Sequence, residues 1–144
     1  MLSMTEPDEI DNRIMELLEE NSRASNVEIA GAIGISEGTV RNRISRLVKD
    51  GYISKFTMLR GTKGISAIIL VKVDPKESER VTAELSRLFK DIYEISGKYD
   101  LAIQLWCNGA EELNGIINDI REIDGVKSTD SMIKLNYFRR RSSR

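Results

Sequence analysis

The sequence predicts an α+β chain with a helix-turn-helix at its N-terminal end and a βαββαβ unit after it. Three observations carry this. Residues 25–51, SNVEIAGAIGISEGTVRNRISRLVKDG, hold two short amphipathic helical patterns separated by a glycine. Residues 65–137 alternate strand-like apolar runs with helical stripes. Between them LRGTKG (59–64) is a polar, glycine-bounded linker.

In the N-terminal part, Ile10, Ile14, Leu17 and Leu18 share one face of a helix over 8–20, with Thr5 and Asp8 as start signals and Pro7 in the first turn. Ser25 and Glu28 form a capping-box pair, after which Val27, Ala30 and Ile33 recur at helical spacing. Gly34 ends that helix and Ser36 caps the next, where Val40, Ile44, Leu47 and Val48 make a buried stripe. Asn42, Ser45, Arg46 and Lys49 fall opposite the stripe, with Arg41 and Arg43 on its flanks. A helix clamped along one side, with polar and basic groups on the other, is what a DNA major groove admits. YISKFTM after Gly51 has the content of a short strand, completing a winged helix-turn-helix.

A plain structural hairpin is the competing reading, and charge placement bears on it. Residues 6–20 carry seven acidic side chains against Arg13 alone, whereas 37–60 carry Arg41, Arg43, Arg46, Lys49, Lys55 and Arg60 against Glu37 and Asp50. Such local basicity is the footprint of phosphate contacts. The formal net charge of −1 suits a site-directed reader better than a general DNA coat. Double-stranded DNA is the expected partner. Gly38, Thr39, Asn42, Ser45 and Arg46 are expected near base edges, and Arg41, Arg43, Lys49 and Lys55 mostly at phosphates.

In the C-terminal part, ISAIILVKV (65–73) reads as a buried strand. A helix follows with Val81, Leu85, Leu88 and Phe89 as its stripe, then the strand DIYEISG, a tight connection at Lys98–Asp100, and the strand LAIQLWC. A second helix over 109–123 buries Leu113, Ile116, Ile117 and Ile120, and VKSTDSMIKL closes the sheet. AIILVKV and AIQLWCN lie 35 residues apart as a faint internal repeat. This order is the ferredoxin-like split βαβ, an antiparallel sheet with both helices on one face. The other face stays bare in a monomer, with Ile69, Val71 and Trp106 among its candidates, and predicts a homodimer. Two recognition helices about 34–36 Å apart would then read a palindromic site. The tail after residue 137 (FRRRSSR) is a solubilising end or a second phosphate contact.

Composition narrows the chemistry. With no histidine and one cysteine, Cys107, no Ser-His-Asp or Cys-His arrangement and no zinc site can be built, and no Walker loop or GxGxxG occurs. An enzyme, a metal site and a cofactor are not expected. An acylphosphate-type enzyme on this scaffold would want an arginine-bearing phosphate cradle, and 61–144 has none. No run approaches the roughly 18 apolar residues of a membrane span. The acidic N-terminus lacks signal-peptide character, and the lone thiol suits a reducing, cytoplasmic setting.

These segments, IAGAIGISEGTVRNRISRLVKDGYI, EISGKYDLAI and DGVKSTDSMIKL, resemble the Lrp/AsnC (feast/famine) family of transcriptional regulators, over about residues 8–137. The resemblance implies dimers built through the C-terminal sheets, assembled further into tetramers or octamers, and a small effector, usually an amino acid. It maps the effector site onto Gly97, Tyr99 and Asp100 of a G-x-x-D turn and onto Thr129 and Ser131 after Gly-Val, and the second helix adds Gly115, Asp119 and Glu122. Asp130 adds acid beside this set. The alternative is a nonspecific DNA-architectural protein whose C-terminal domain only drives assembly.

Overall fold

A computed structural model describes residues 5–61 and 63–139 and divides the chain into two compact units, 1–59 and 60–144. The first unit is three helices, α1 (Glu9–Glu20), α2 (Asn26–Ile33) and α3 (Glu37–Lys49). Asp8 caps α1 in a capping box with Asp11, so Pro7 precedes the cap and does not enter the first turn. The Ser25–Glu28 box opens α2 through bonds of 2.7 and 3.1 Å. Gly34 closes α2 at φ +84°, a conformation glycine adopts without Cβ strain, and Ser36 caps α3 two residues later. Ile14, Leu18, Ile29, Ala30 and Val40 form the core, with Ile10, Leu17, Ile33, Ile44 and Ile53 packed around it.

Three expectations for this unit are corrected. Val27 and Val48 are exposed, because the packing stripes run through Ile29–Ala30 and through Val40–Leu47. No strand forms over 52–58. A strand requires a ladder partner, and none of the described residues supplies one there. The Ile53 N–H instead bonds the Leu47 carbonyl at 3.1 Å, and the Ser22 hydroxyl donates to the Thr57 carbonyl at 2.9 Å.

The second unit is β1 (Ile65–Val73), α4 (Ser78–Leu88), β2 (Asp91–Glu94), β3 (Leu101–Cys107), α5 (Ala110–Arg121) and β4 (Val126–Ile133). A 3-10 turn at Pro75–Glu77 leads into α4. The sheet order is β2-β3-β1-β4 and every pairing is antiparallel, as the split βαβ arrangement requires. The repeated segments become central neighbours, with Ile69 opposite Ile103 and Ala67 opposite Leu105. Ala67, Ile69, Val71, Val73, Leu101, Ile103 and Cys107 pack with Val81, Leu85, Leu113, Ile117 and Ile120 of the helices. Ile69 and Val71 therefore belong to the covered face, correcting their placement on the open one. The open face carries Ile68, Leu70, Ala102, Trp106, Tyr93 and Met132, which alternate with the buried set in register. Leu88 is exposed at the last turn of α4, and Phe89 turns inward in its place.

Arg60, Lys63 and Gly64 lie against Trp106. The Arg60 guanidinium sits 4.2 Å from its ring centroid, and its Nε1 donates to the Lys63 carbonyl at 3.0 Å. Gly64, at φ +86°, leaves no room for a methyl group, since a Cβ there would overlap the indole at Cζ2, lie 2.6 Å from its Cε2 and lie 2.8 Å from the Cys107 carbonyl oxygen. Gly64→Ala should destabilise this unit by about 2–3 kcal/mol through combined backbone strain and overpacking. Trp106 is the only tryptophan of the chain. Its emission should shift on substitution, and denaturant unfolding followed at that wavelength measures the loss.

Candidate DNA interface and ligand site

The DNA-facing candidate is α3. Val40 and Leu47 anchor it to the core, while Thr39, Arg41, Asn42, Ser45 and Lys49 are exposed. Gly38, Arg43 and Arg46 are half-buried. Lys55 lies beyond the helix and is exposed. The Thr39 hydroxyl is 2.7 Å from that of Ser36, so the first turn is braced by a side-chain pair as well as by its cap.

Segregation of acid and base along the sequence does not survive folding. Asp11, on α1, is wholly buried, and its carboxylate accepts from Arg43 Nη1 at 3.0 Å, from Arg46 Nη2 at 2.5 Å and from the Asp8 N–H at 3.1 Å. Asp8 takes Arg43 Nη1 with both oxygens, at 2.8 and 2.7 Å. Arg41 pairs with Glu37 one turn back at 3.0 Å. Each arginine of α3 thus has an internal carboxylate partner. In the sequence Asp11 counts only as one of the acidic side chains of 6–20, although its place at N3 beside the apolar Ile10–Ile14 face is a signal for this role. The Arg43 guanidinium, with the Asp11 N–H, holds the Asp8 carboxyl down at about 2.

The ligand-site candidates fall into two groups. Gly97, at φ +125°, Tyr99 and Asp100 belong to the β2–β3 connection. The Tyr99 hydroxyl donates to Asp130 at 3.3 Å, and Asp130 stands opposite Leu70 on the open face. Thr129 and Ser131 pair with Val71 and Ile69 and so share the helix-covered side, where Arg121 Nε donates to the Thr129 hydroxyl at 2.9 Å. Asp119 is exposed on α5. Tyr99 thus reaches the open side of the sheet, and Thr129 and Ser131 lie on the covered side.

Asp100 is engaged within the fold. Its carboxylate accepts from the Val73 N–H at 2.8 Å and faces Lys72 Nζ at 3.4 Å, beside the register shift between Lys72 and Val73 in the β1–β4 ladder. The Val73 N–H and the Lys72 ammonium hold its carboxyl below the usual carboxylate range.

These units define a helix-turn-helix DNA-binding protein with an appended ligand-binding domain, and comparison with known proteins gives the particular family. A family model described as winged helix-turn-helix DNA-binding matches residues 7–54, and the Lrp/AsnC ligand binding domain matches residues 66–143. The HTH-type transcriptional regulator FL11 of Pyrococcus furiosus is 32% identical, covering 92% of this chain and 91% of its own. The HTH-type transcriptional regulator LysM of Sulfurisphaera tokodaii is 35% identical, covering 94% and 99%. Among solved structures, Escherichia coli AsnC superposes with a TM-score of 0.71 at 24% identity, covering 96% of this chain and 99% of its own. The regulator NMB0573 of Neisseria meningitidis, solved as a complex with L-Met, superposes at 0.73 with 21% identity and 96% coverage of both chains. The chain belongs to the Lrp/AsnC family of transcriptional regulators. Among the described residues no helix is long and apolar enough to cross a membrane.

Removing the buried carboxylate strands two arginines. Asp11→Ala should cost the first unit about 2–3 kcal/mol in chemical denaturation, less than for a fully desolvated pair because Arg43 and Arg46 keep some solvent. Acid should act through Asp8 with the opposite sign to a histidine switch. A depressed carboxyl stabilises the fold above its unfolded value of 3.8, and that contribution fades as pH falls towards about 2. The melting-point gap between the natural chain and Asp8→Asn should be constant from about pH 7 to 5 and close below about 4.

Proposed function

We propose that the protein is a sequence-specific, non-enzymatic transcriptional regulator of the cytoplasm that binds palindromic operators as a homodimer or higher oligomer and is modulated by an amino acid. The observation that carries the DNA-reading part is α3, held in a fixed setting by Asp11, Val40 and Leu47 while Thr39, Asn42 and Ser45 face solvent. These three, with Gly38 allowing close backbone approach and the unpaired edge of Arg46, are placed at base edges. Arg41, Arg43, Lys49 and Lys55 are placed at phosphates. Dimerisation is supported by the open sheet face, where Ile68, Leu70, Trp106, Tyr93 and Met132 are gathered on one side. A dimer, or a tetramer or octamer built from it, gives two half-site readers at fixed spacing.

An amino-acid effector is supported by the ligand-domain match and by the L-Met complex of the Neisseria regulator. Gly97 and Tyr99 supply an open turn whose backbone N–H groups suit a carboxylate, and Asp119, Thr129 and Ser131 supply polar groups on the helix side. Asp100 contributes by fixing the turn. Since the two groups lie on opposite sides of one sheet, a pocket that uses both takes one group from each of two subunits. The effector then acts by favouring one quaternary arrangement over another.

Two measurements test this. After selecting an operator from a random duplex pool, Asn42→Ala should weaken operator binding by about 1–3 kcal/mol and random-duplex binding far less. Equal losses on both would favour the DNA-architectural alternative. Melting the protein against each of the twenty amino acids should reveal one that raises the midpoint, with about 2.7 kcal/mol gained at a hundredfold excess over its dissociation constant. Tyr99→Ala should reduce that shift, and no shift with any amino acid would rule out the amino-acid effector.

A further inference from the structure

We infer that Asp8 is an internal competitor for DNA phosphate, occupying the Arg43 guanidinium in the free protein and yielding it when a phosphate oxygen arrives. The inference rests on the reading of α3 as the DNA-contacting helix.

Arg43 Nη1 meets two carboxylates of very different standing. Asp11 is fully buried, and its oxygens also hold Arg46 and the Asp8 N–H, so it is fixed in place. Asp8 is at the surface, its side chain 53% exposed, while that of Arg43 is 23% exposed. A solvent-screened ion pair of this kind holds weakly, and its partner is exchangeable. A phosphate oxygen offers the guanidinium the same charge-assisted bond that Asp8 offers.

The exchange leaves the fold intact. Asp8 still accepts the Asp11 N–H at 2.9 Å through Oδ1, so α1 remains capped after Arg43 departs. Asp11 still pairs with Arg46, so α3 remains clamped to α1. Only the outer half of the Arg43 contact is surrendered. While Asp8 keeps that contact, its charge cancels the cation that DNA seeks and repels the incoming strand. Binding through Arg43 is therefore a swap of anions, and the protein's attraction for arbitrary DNA is lower than its count of basic residues on α3 suggests.

Asp8→Asn separates this role from capping, since asparagine caps a helix as well as aspartate does. Dissociation constants of the full-length chain are measured by fluorescence anisotropy on the selected operator and on a random duplex, across about 50–200 mM salt. Asp8→Asn should bind both duplexes about three- to tenfold more tightly at the lower salt, with a salt slope steeper by about one phosphate contact. Glu9→Gln, which removes the same charge from a neighbouring exposed position, should gain less than about twofold. The gain should vanish when Arg43→Gln is combined with Asp8→Asn. A folded Asp8→Asn chain that binds no better than the natural one or Glu9→Gln overturns the inference, as does a gain that survives Arg43→Gln. Asn42→Ala tells this failure apart from that of the underlying reading: if it still abolishes operator preference, α3 remains the reader and only the competitor falls. If Asn42→Ala and Ser45→Ala leave operator binding unchanged, both fall together.

Discussion

A single buried carboxylate sets the geometry of the DNA-binding unit. Hydrophobic contacts through Val40 and Leu47 hold α3 against the core, but such contacts are non-directional and tolerate rotation about the helix axis. Asp11 removes that freedom. It stands on α1, and its two oxygens reach positions 43 and 46 of α3, which lie three residues apart on one edge of the helix. Burying an ion costs several kcal/mol unless its hydrogen bonds are complete. Three donors satisfy Asp11, one of them the Asp8 N–H at the start of its own helix. The same network that fixes the roll of α3 therefore also fixes the start of α1. Which side chains of α3 face outward follows from this setting as much as from the apolar stripe.

In the second unit the corresponding constraint is the register of β1, one of the two strands paired on both sides. Its alternation assigns every neighbouring residue a face. Ile69 opposite Ile103 and Ser131 sends all three towards the helices, and Leu70 opposite Ala102 and Asp130 sends those outward. Slipping one residue would exchange the two sets and bury Asp130 and Lys72. Asp100 guards the end of that register by accepting the Val73 N–H where the β1–β4 ladder shifts. A residue that looks like a ligand acceptor in the sequence thus works on the strand that orients the other candidates.

Much of this was legible from residue order. Ser25–Glu28, Gly34 and Ser36 fixed helix ends because capping is local chemistry. The strands at 65–73 and 101–107 were legible because their apolar density is high. Their faces were not. ISAIILVKV is apolar at both parities, so nothing in it distinguishes Ile69 from Ile68, and only pairing with helices α4 and α5 decides. YISKFTM had the composition of a strand and no partner to make it one. Charge was misleading for a related reason. Acid at 6–20 and base at 37–60 are far apart in the sequence, and the packing of α1 beside α3 brings Asp8 and Asp11 directly against Arg43 and Arg46.

That meeting of charges bears on how a regulator discriminates. Free arginines along a recognition helix would each add affinity for any duplex by releasing counterions, regardless of sequence. Here Arg41, Arg43 and Arg46 are already paired with Glu37, Asp8 and Asp11, so on the proposed reading contact with DNA would replace one anion by another and the net gain per contact would be small. On the proposed reading the neutral groups Asn42 and Ser45 meet base edges with no internal partner to displace, and Thr39 gives up only its bond to the Ser36 hydroxyl. Their hydrogen bonds, formed with the right sequence and lost with the wrong one, would then make up a larger share of the difference between operator and bulk DNA. On the proposed reading, a protein of net charge −1 carrying such a helix would bind weakly everywhere and better at its site. Coupling between an effector and DNA amounts to only about 1–3 kcal/mol in typical allosteric systems. Against a strong, indiscriminate attraction to phosphate that amount would change little, and against the modest surplus left by internal pairing it would be enough for the proposed effector to switch occupancy.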